Sequence, residues 1–420
     1  MNALGILILA LLVTRSLISS IADYLNLKAL RHQLPDQFTG WYDPAQYARS
    51  QAYLRANTHL GWGVEIFDLA VLLLFWFGGG FAWLDGWVSG LVLSPVPSGL
   101  IYIGVLVLLK GLLTLPFGLY ATFGIEARFG FNKTTWRTYL ADKLKALLLG
   151  IVIGGPLLAA VLFFFNHAGD RAWCYAWGFT VGVMLLMQYI APTWIMPLFN
   201  RFKPLPDGPL RDAITAYSNS IGFALDNIFV MDGSKRSTKA NAFFSGFGRY
   251  RRIVLFDTLV DKHTVEELVA VLAHEMGHFK RHHIAKMLLI GTAQAGLMFF
   301  VLSRFISYPG LFAAFYVPEV SVHAGLVFFG LLYAPIDMVL SIAVHGLSRR
   351  HEFEADRFAM QTAREGGRAL AAALKKLTVD NLSNLQPHPF YVFLNYSHPP
   401  VLQRIEALVG DRISSVSVHK

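Results

Sequence analysis

The sequence predicts a mainly α-helical, polytopic membrane protein, with about seven spans and a small α+β region outside the bilayer. Three observations carry this. Of the 420 residues, 55% are hydrophobic and only 15% charged, with a mean hydropathy of +0.47. An average soluble domain is about 45–50% apolar and about 25% charged, so this chain has too few charges to coat a soluble surface of its size. Seven runs reach the roughly 20 apolar residues that a bilayer-crossing helix needs. Lys and Arg then alternate between successive loops.

The predicted spans are Ala3–Ala22, Val64–Leu84, Leu100–Phe123, Ala146–Phe165, Ala172–Leu198, Ile284–Ile306 and Leu326–Leu347. The first has no basic stretch ahead of it and no convincing small-residue cleavage site, so it reads as a retained span rather than a signal peptide. Lys28, Arg31, Arg49 and Arg55 stand between spans one and two, and none in the second loop, Asp85–Gly99. The third loop holds Arg128, Lys133, Arg137 and Lys143, with Lys145 at its border; the fourth holds at most Arg171. The long fifth loop, Phe199–His283, is dense in Lys and Arg, the sixth, Ser307–Gly325, has none, and the C-terminal segment is basic again. This alternation places the N-terminus outside and both long polar segments in the cytosol. It also explains the formal charge of +9 as basic cytoplasmic loops, not as affinity for nucleic acid.

The chain therefore divides into membrane helices over 1–198, a cytosolic segment over 199–283, two further spans over 284–347 and a second cytosolic segment over 348–420. The two cytosolic segments share a face and are expected to pack together. Asn227–Met231, Arg252–Phe256 and Ala240–Ser245 read as short strands, entered through a turn-rich stretch at Pro204, Pro206, Gly208 and Pro209. The single cysteine, Cys174, excludes an intramolecular disulfide framework and any zinc site built on two or more cysteines.

The chemistry concentrates at His274-Glu275-Met-Gly-His278, an HExxH sequence. Thr264-Val-Glu-Glu267 fits a capping box just before it, so the motif sits on a helix. Residues four apart share a helical face, and His274 and His278 can reach one ion. Glu275 is one step round, placed to act on water at that ion as a general base. A catalytic zinc needs a third protein ligand, and Glu352-Phe-Glu354-Ala-Asp356 after span seven offers one. Glu352 and Asp356 share a face, so one can ligate while the other orients a ligand histidine; His351 is an alternative ligand. His282 and His283, beside Lys280 and Arg281, read as solvated or headgroup-facing. Lys235, Arg236 and Lys239 read as a solvated charge run. Arg15, Glu65, Asp68, Lys110, Asp337 and His345 fall in or beside spans, where charges normally face a cavity, water or a partner.

Together with Phe129-Gly-Phe-Asn132, Ala191-Pro-Thr-Trp through Pro206, Met231-Asp-Gly-Ser-Lys-Arg-Ser237, Asn241-Ala-Phe243, Arg252 through Leu259 and Tyr396-Ser-His398-Pro-Pro400, these motifs resemble the M48 family of integral-membrane zinc metalloproteases, in its CaaX prenyl protease 1 branch. The resemblance implies seven helices around a water-filled chamber, and one Zn2+ on His274, His278 and Glu352. It implies Glu275 as general base, Asp356 supporting the ligands, His398 stabilising the tetrahedral intermediate and Arg404 supporting the site. Asn241, Ala242 and Phe243 match the edge segment on which substrate is laid in extended form. The reaction implied is removal of the C-terminal aaX tripeptide from prenylated proteins, with peptide or protein substrates and the bilayer as partners. The alternatives are an HtpX-like quality-control protease and, in a different class, a non-catalytic channel or scaffold with a structural zinc, which a spare ligand such as His282 or His351 would favour. The short tail after Pro400 leans toward a bacterial inner membrane, the endoplasmic reticulum being the setting in a eukaryote. Oligomeric state is not legible.

Overall fold

The computed structural model describes residues 1–223, 228–245 and 252–416. Seven of its helices are long and apolar enough to cross a membrane: Ala3–Lys28, Pro44–Phe77, Pro95–Glu126, Trp136–His167, Gly169–Phe199, His283–Phe305 and Val322–Thr362. Six predicted spans fall inside these to within one residue. The second does not. Its helix begins at Pro44, capped by Asp43, and stops at Phe77; Leu84 belongs to a separate short helix, Gly80–Ser89. Hydropathy reads straight across Gly78-Gly79-Gly80, whereas Gly79 adopts φ +74°, a left-handed conformation that ends a helix.

Three spans contain wide π turns, at Tyr120–Glu126, Gly150–Gly154 and Ala191–Ile195. Pro116, Pro156 and Pro192 lie in or next to them. A proline inside a helix lacks an N–H and clashes with the preceding turn, and a wide turn relieves both faults. The seventh helix also carries a proline, Pro335, yet runs 41 residues to Thr362, well past its apolar stretch.

Four short strands form one sheet in the order β1-β2-β4-β3: β1 (Phe202–Pro204), β2 (Ile228–Met231), β3 (Ala242–Ser245) and β4 (Arg252–Phe256). β2 and β4 are parallel; β3 runs antiparallel to β4, with Ala242 opposite Leu255 and Phe243 opposite Val254. Three of the strands were predicted, although Asn227 lies outside the described residues. β1 was not, because prolines signal turns; as an edge strand β1 tolerates Pro204.

Two hydrophobic cores result. One gathers Trp76, Phe81, Tyr102, Phe312, Phe315 and Phe328 at the face that carries loops two and six. The other joins Tyr47 of loop one, Phe129 and Phe131 of loop three, Ile253 of β4, Leu272 of the HExxH helix and Ile405 near the C-terminus. The basic loops and both polar segments thus share one face. The charge run proves to be mostly ion-paired rather than solvated. Arg236 grips Asp142 through two bonds of 2.8 and 2.9 Å, and Lys239 reaches Tyr53 at 2.8 Å and Glu126 at 3.1 Å. The reason is that loop three brings carboxylates to this stretch.

Between the spans lies a cavity of about 960 Å³, lined by Arg15, Glu65, Asp68, Lys110, Asp337 and His345 among others. All six ionisable residues singled out from the spans face it, and Asp68 and Lys110 form an ion pair.

Candidate functional site

The HExxH helix spans Val265–Lys280. Its capping box forms as expected: Glu267 N–H donates to Thr264 Oγ1 at 3.3 Å, and Thr264 N–H to Glu267 Oε2 at 3.0 Å. The seventh helix lies against it so closely that a methyl group on Gly277 would sit 3.1 Å from Ala355 Cα and 3.2 Å from its carbonyl oxygen. This approach brings Glu352 to the paired histidines. Gly277→Ala sets a helix-propensity gain of about 1 kcal/mol against overpacking of about 1–3 kcal/mol. Because the neighbouring atoms are backbone, overpacking wins. The expected result is a lower melting temperature and weaker metal binding, read by thermal denaturation and metal titration.

His274 Nε2 and His278 Nε2 stand 3.2 Å apart. Glu352 Oε2 is 3.4 Å from the first, and Glu352 Oε1 3.3 Å from the second. These three residues are the one such group found among the described residues. Two donors held about 2.0–2.2 Å from a tetrahedrally coordinated ion lie about 3.3–3.6 Å apart, so the group has the dimensions of a zinc site. Glu352 Oε2 is buried without a well-formed hydrogen bond, its ion-pair partners Arg404 Nη1 and His274 Nε2 standing off at 3.3 and 3.4 Å. The donor set, two imidazoles and one carboxylate, suits zinc and leaves a coordination position open.

Asp356 lies behind His274, its Oδ1 accepting from Nδ1 at 2.8 Å. Arg404, on the last helix, clamps Asp356 with bonds of 2.6 and 2.8 Å and comes within 3.3 Å of Glu352. Burial disfavours charge on His274, but its bonds to Asp356 and Glu352 outweigh that and push its pKa up to about 9.

Glu275 is half-buried and opens onto a second cavity of about 480 Å³ together with Phe243, Phe244, His278 and Met287. Phe243 and Phe244 belong to the edge strand β3. Asn241 is exposed immediately before it; its carbonyl accepts from Phe256 N–H at 3.1 Å and its side chain from Ala242 N–H at 2.8 Å. His398 is largely exposed, with Nε2 3.4 Å from Glu352 Oε1. All ten residues singled out in the sequence thus lie in or beside one region.

Two expectations change. His283 is neither solvated nor at the headgroups: it is 2% exposed and hydrogen-bonded to His278 and Glu354. The helix break explains it, because exposed His282, at φ +57°, turns the chain and sends the next side chain inward. His351 does not join the group of His274, His278 and Glu352; its ring stacks on His283 at 4.0 Å. Neither His282 nor His351 supplies the spare ligand that a structural zinc would use. Sequence spacing gave no signal for His283, since it is five residues from His278 and off its helical face.

Comparison with known proteins fits this geometry. Residues 23–201 match the family described as CAAX prenyl protease N-terminal, five membrane helices, and residues 204–412 match peptidase family M48. The chain is 34% identical to a CAAX prenyl protease 1 homolog of Arabidopsis thaliana, over 96% of this chain and 97% of that one. It is 32% identical to the Homo sapiens CAAX prenyl protease 1 homolog, over 89% and 88%. The crystal structure of S. mikatae Ste24p superposes with a TM-score of 0.92 at 30% identity, covering 97% of this chain and all of that one. The chain is therefore a multi-pass membrane metallopeptidase that belongs to family M48, in its CAAX prenyl protease 1 branch.

Proposed function

We propose that this enzyme removes the terminal aaX tripeptide from prenylated CaaX proteins, using one zinc ion per chain held by His274, His278 and Glu352. The observation that carries the reading is the convergence of those three donors beside Glu275, with Glu275 and His278 lining a cavity whose wall includes Phe243 and Phe244 of the edge strand β3. When bound, the ion supplies Lewis-acid polarisation of water and of the scissile carbonyl.

The chain's own residues do the rest. Glu275 takes a proton from the attacking water and returns it to the departing amine. His398 donates toward the oxygen on which negative charge develops. Asp356, fixed by Arg404, holds His274 with Nε2 turned to the ion. The free edge of β3, entered at Asn241, Ala242 and Phe243, pairs with an extended substrate, so backbone bonds give affinity with little demand on side chains. A prenyl chain partitions into lipid at about 0.8 kcal/mol per buried CH2, which concentrates substrate where this site lies. Following the basic loops, the N-terminus is outside and the site faces the cytosol.

The test is cleavage by zinc-loaded protein in liposomes of farnesylated and unprenylated reporter peptides of one sequence. The expected product is the free tripeptide, released at least about tenfold faster from the farnesylated form. Equal rates on both would replace CaaX processing with general proteolysis at the membrane.

A further inference from the structure

A largely buried cluster around His283 is used by no step of the reaction. His283 Nδ1 lies 3.1 Å from His278 Nδ1, and His283 Nε2 lies 3.1 Å from Glu354 Oε2. His351 covers the His283 ring with an interplanar angle of 9°. Arg350 in turn donates to Glu354 Oε1 at 3.2 Å. We propose that His283 is a positioning residue for the metal centre: it relays the Glu354 carboxylate to His278 and fixes the tautomer and tilt of that imidazole. The inference rests on His278 being a metal ligand.

Proton counting leaves one arrangement. For His278 to offer its Nε2 lone pair to an ion, its proton must be on Nδ1. His283 Nδ1 then has to accept, so the His283 proton is on Nε2 and is donated to Glu354. Each contact thus has one donor and one acceptor. Stacking against His351 fixes the plane of the relaying ring, and burial keeps water from competing for either nitrogen.

The two histidines of HExxH are consequently supported in different ways. His274 donates directly to a carboxylate, Asp356, whereas His278 reaches Glu354 only through a neutral imidazole. Glu352, Glu354 and Asp356 all come from the seventh helix, so one element supplies the third donor and both carboxylate supports. Groups that orient a ligand histidine typically alter metal affinity about 10–100-fold when removed.

The experiment is zinc titration and the visible spectrum of the Co2+-substituted full-length protein in detergent, for four variants. His283→Phe keeps the ring stack and volume but removes the acceptor. It is expected to weaken zinc binding about 10–100-fold and to shift the Co2+ bands, while the metal-free protein melts as wild type does. His283→Asn restores an acceptor near the Nδ1 position and is expected to recover most of the affinity. Glu354→Gln keeps an acceptor without charge and should fall between wild type and His283→Phe. His278→Ala is the control and should lose zinc outright. If His278→Ala binds zinc normally, the ligand assignment itself fails. If His278→Ala loses zinc but His283→Phe binds it as tightly as wild type, the relay alone fails. Equal losses in His283→Phe and His283→Asn, accompanied by a lower metal-free melting temperature, would reduce His283 to a packing residue and overturn the proposal.

Discussion

Glu275→Gln is expected to lower peptide-bond cleavage by about 10²–10⁴-fold while leaving zinc content and melting temperature unchanged. The substitution keeps the side chain's length and removes only its capacity to take a proton. Glu275 opens onto the 480 Å³ cavity instead of joining the three-donor group, so the metal does not depend on it. His274→Ala should behave differently, losing zinc and activity together. Parallel measurement of metal content and reporter cleavage separates the two. A Glu275→Gln protein that retains wild-type turnover would remove Glu275 from the role of base.

Arg404→Met carries the second large effect. Arg404 is 8% exposed and sits among Asp356, Glu352 and His274. Removing its charge leaves Asp356 buried without its cation, and breaking a buried pair in this way costs about 3–5 kcal/mol. A marked fall in melting temperature of the metal-free protein in detergent is expected. Converting Asp356 to Leu in the same chain should recover part of that loss, because it removes the carboxylate that Arg404 holds with two bonds, whereas Glu352 still lacks the guanidinium 3.3 Å away. Wild-type stability in Arg404→Met alone would show that Arg404 is not the clamp its bonds describe.

Much of this molecule is legible in its sequence, for identifiable reasons. Hydropathy marks a span wherever about 20 apolar residues run together, and the alternation of basic loops gives sidedness. HExxH and its capping box are local in the chain, so helical periodicity alone places His274 and His278 on one face. Glu352 and Asp356 could be anticipated because four-residue spacing again sets a shared face. What stayed hidden depends on contacts between distant segments. His283 faces inward because of a left-handed residue at His282. Arg236 and Lys239 are paired because loop three returns to meet them. The break after Phe77 escaped because hydropathy does not register a backbone angle.

The 41-residue seventh helix has a further consequence. It carries Glu352, Glu354 and Asp356 on the same unbroken rod that crosses the bilayer, while His274 and His278 precede another rod that begins at His283. The peptidase half consequently has no seam along which it could be released into water. Trimming the seventh helix would detach one of the three donor residues from its anchorage, and trimming the helix that begins at His283 would detach the other two. Moving this chemistry to a lipid-free setting would require rebuilding both supports, not shortening a tail.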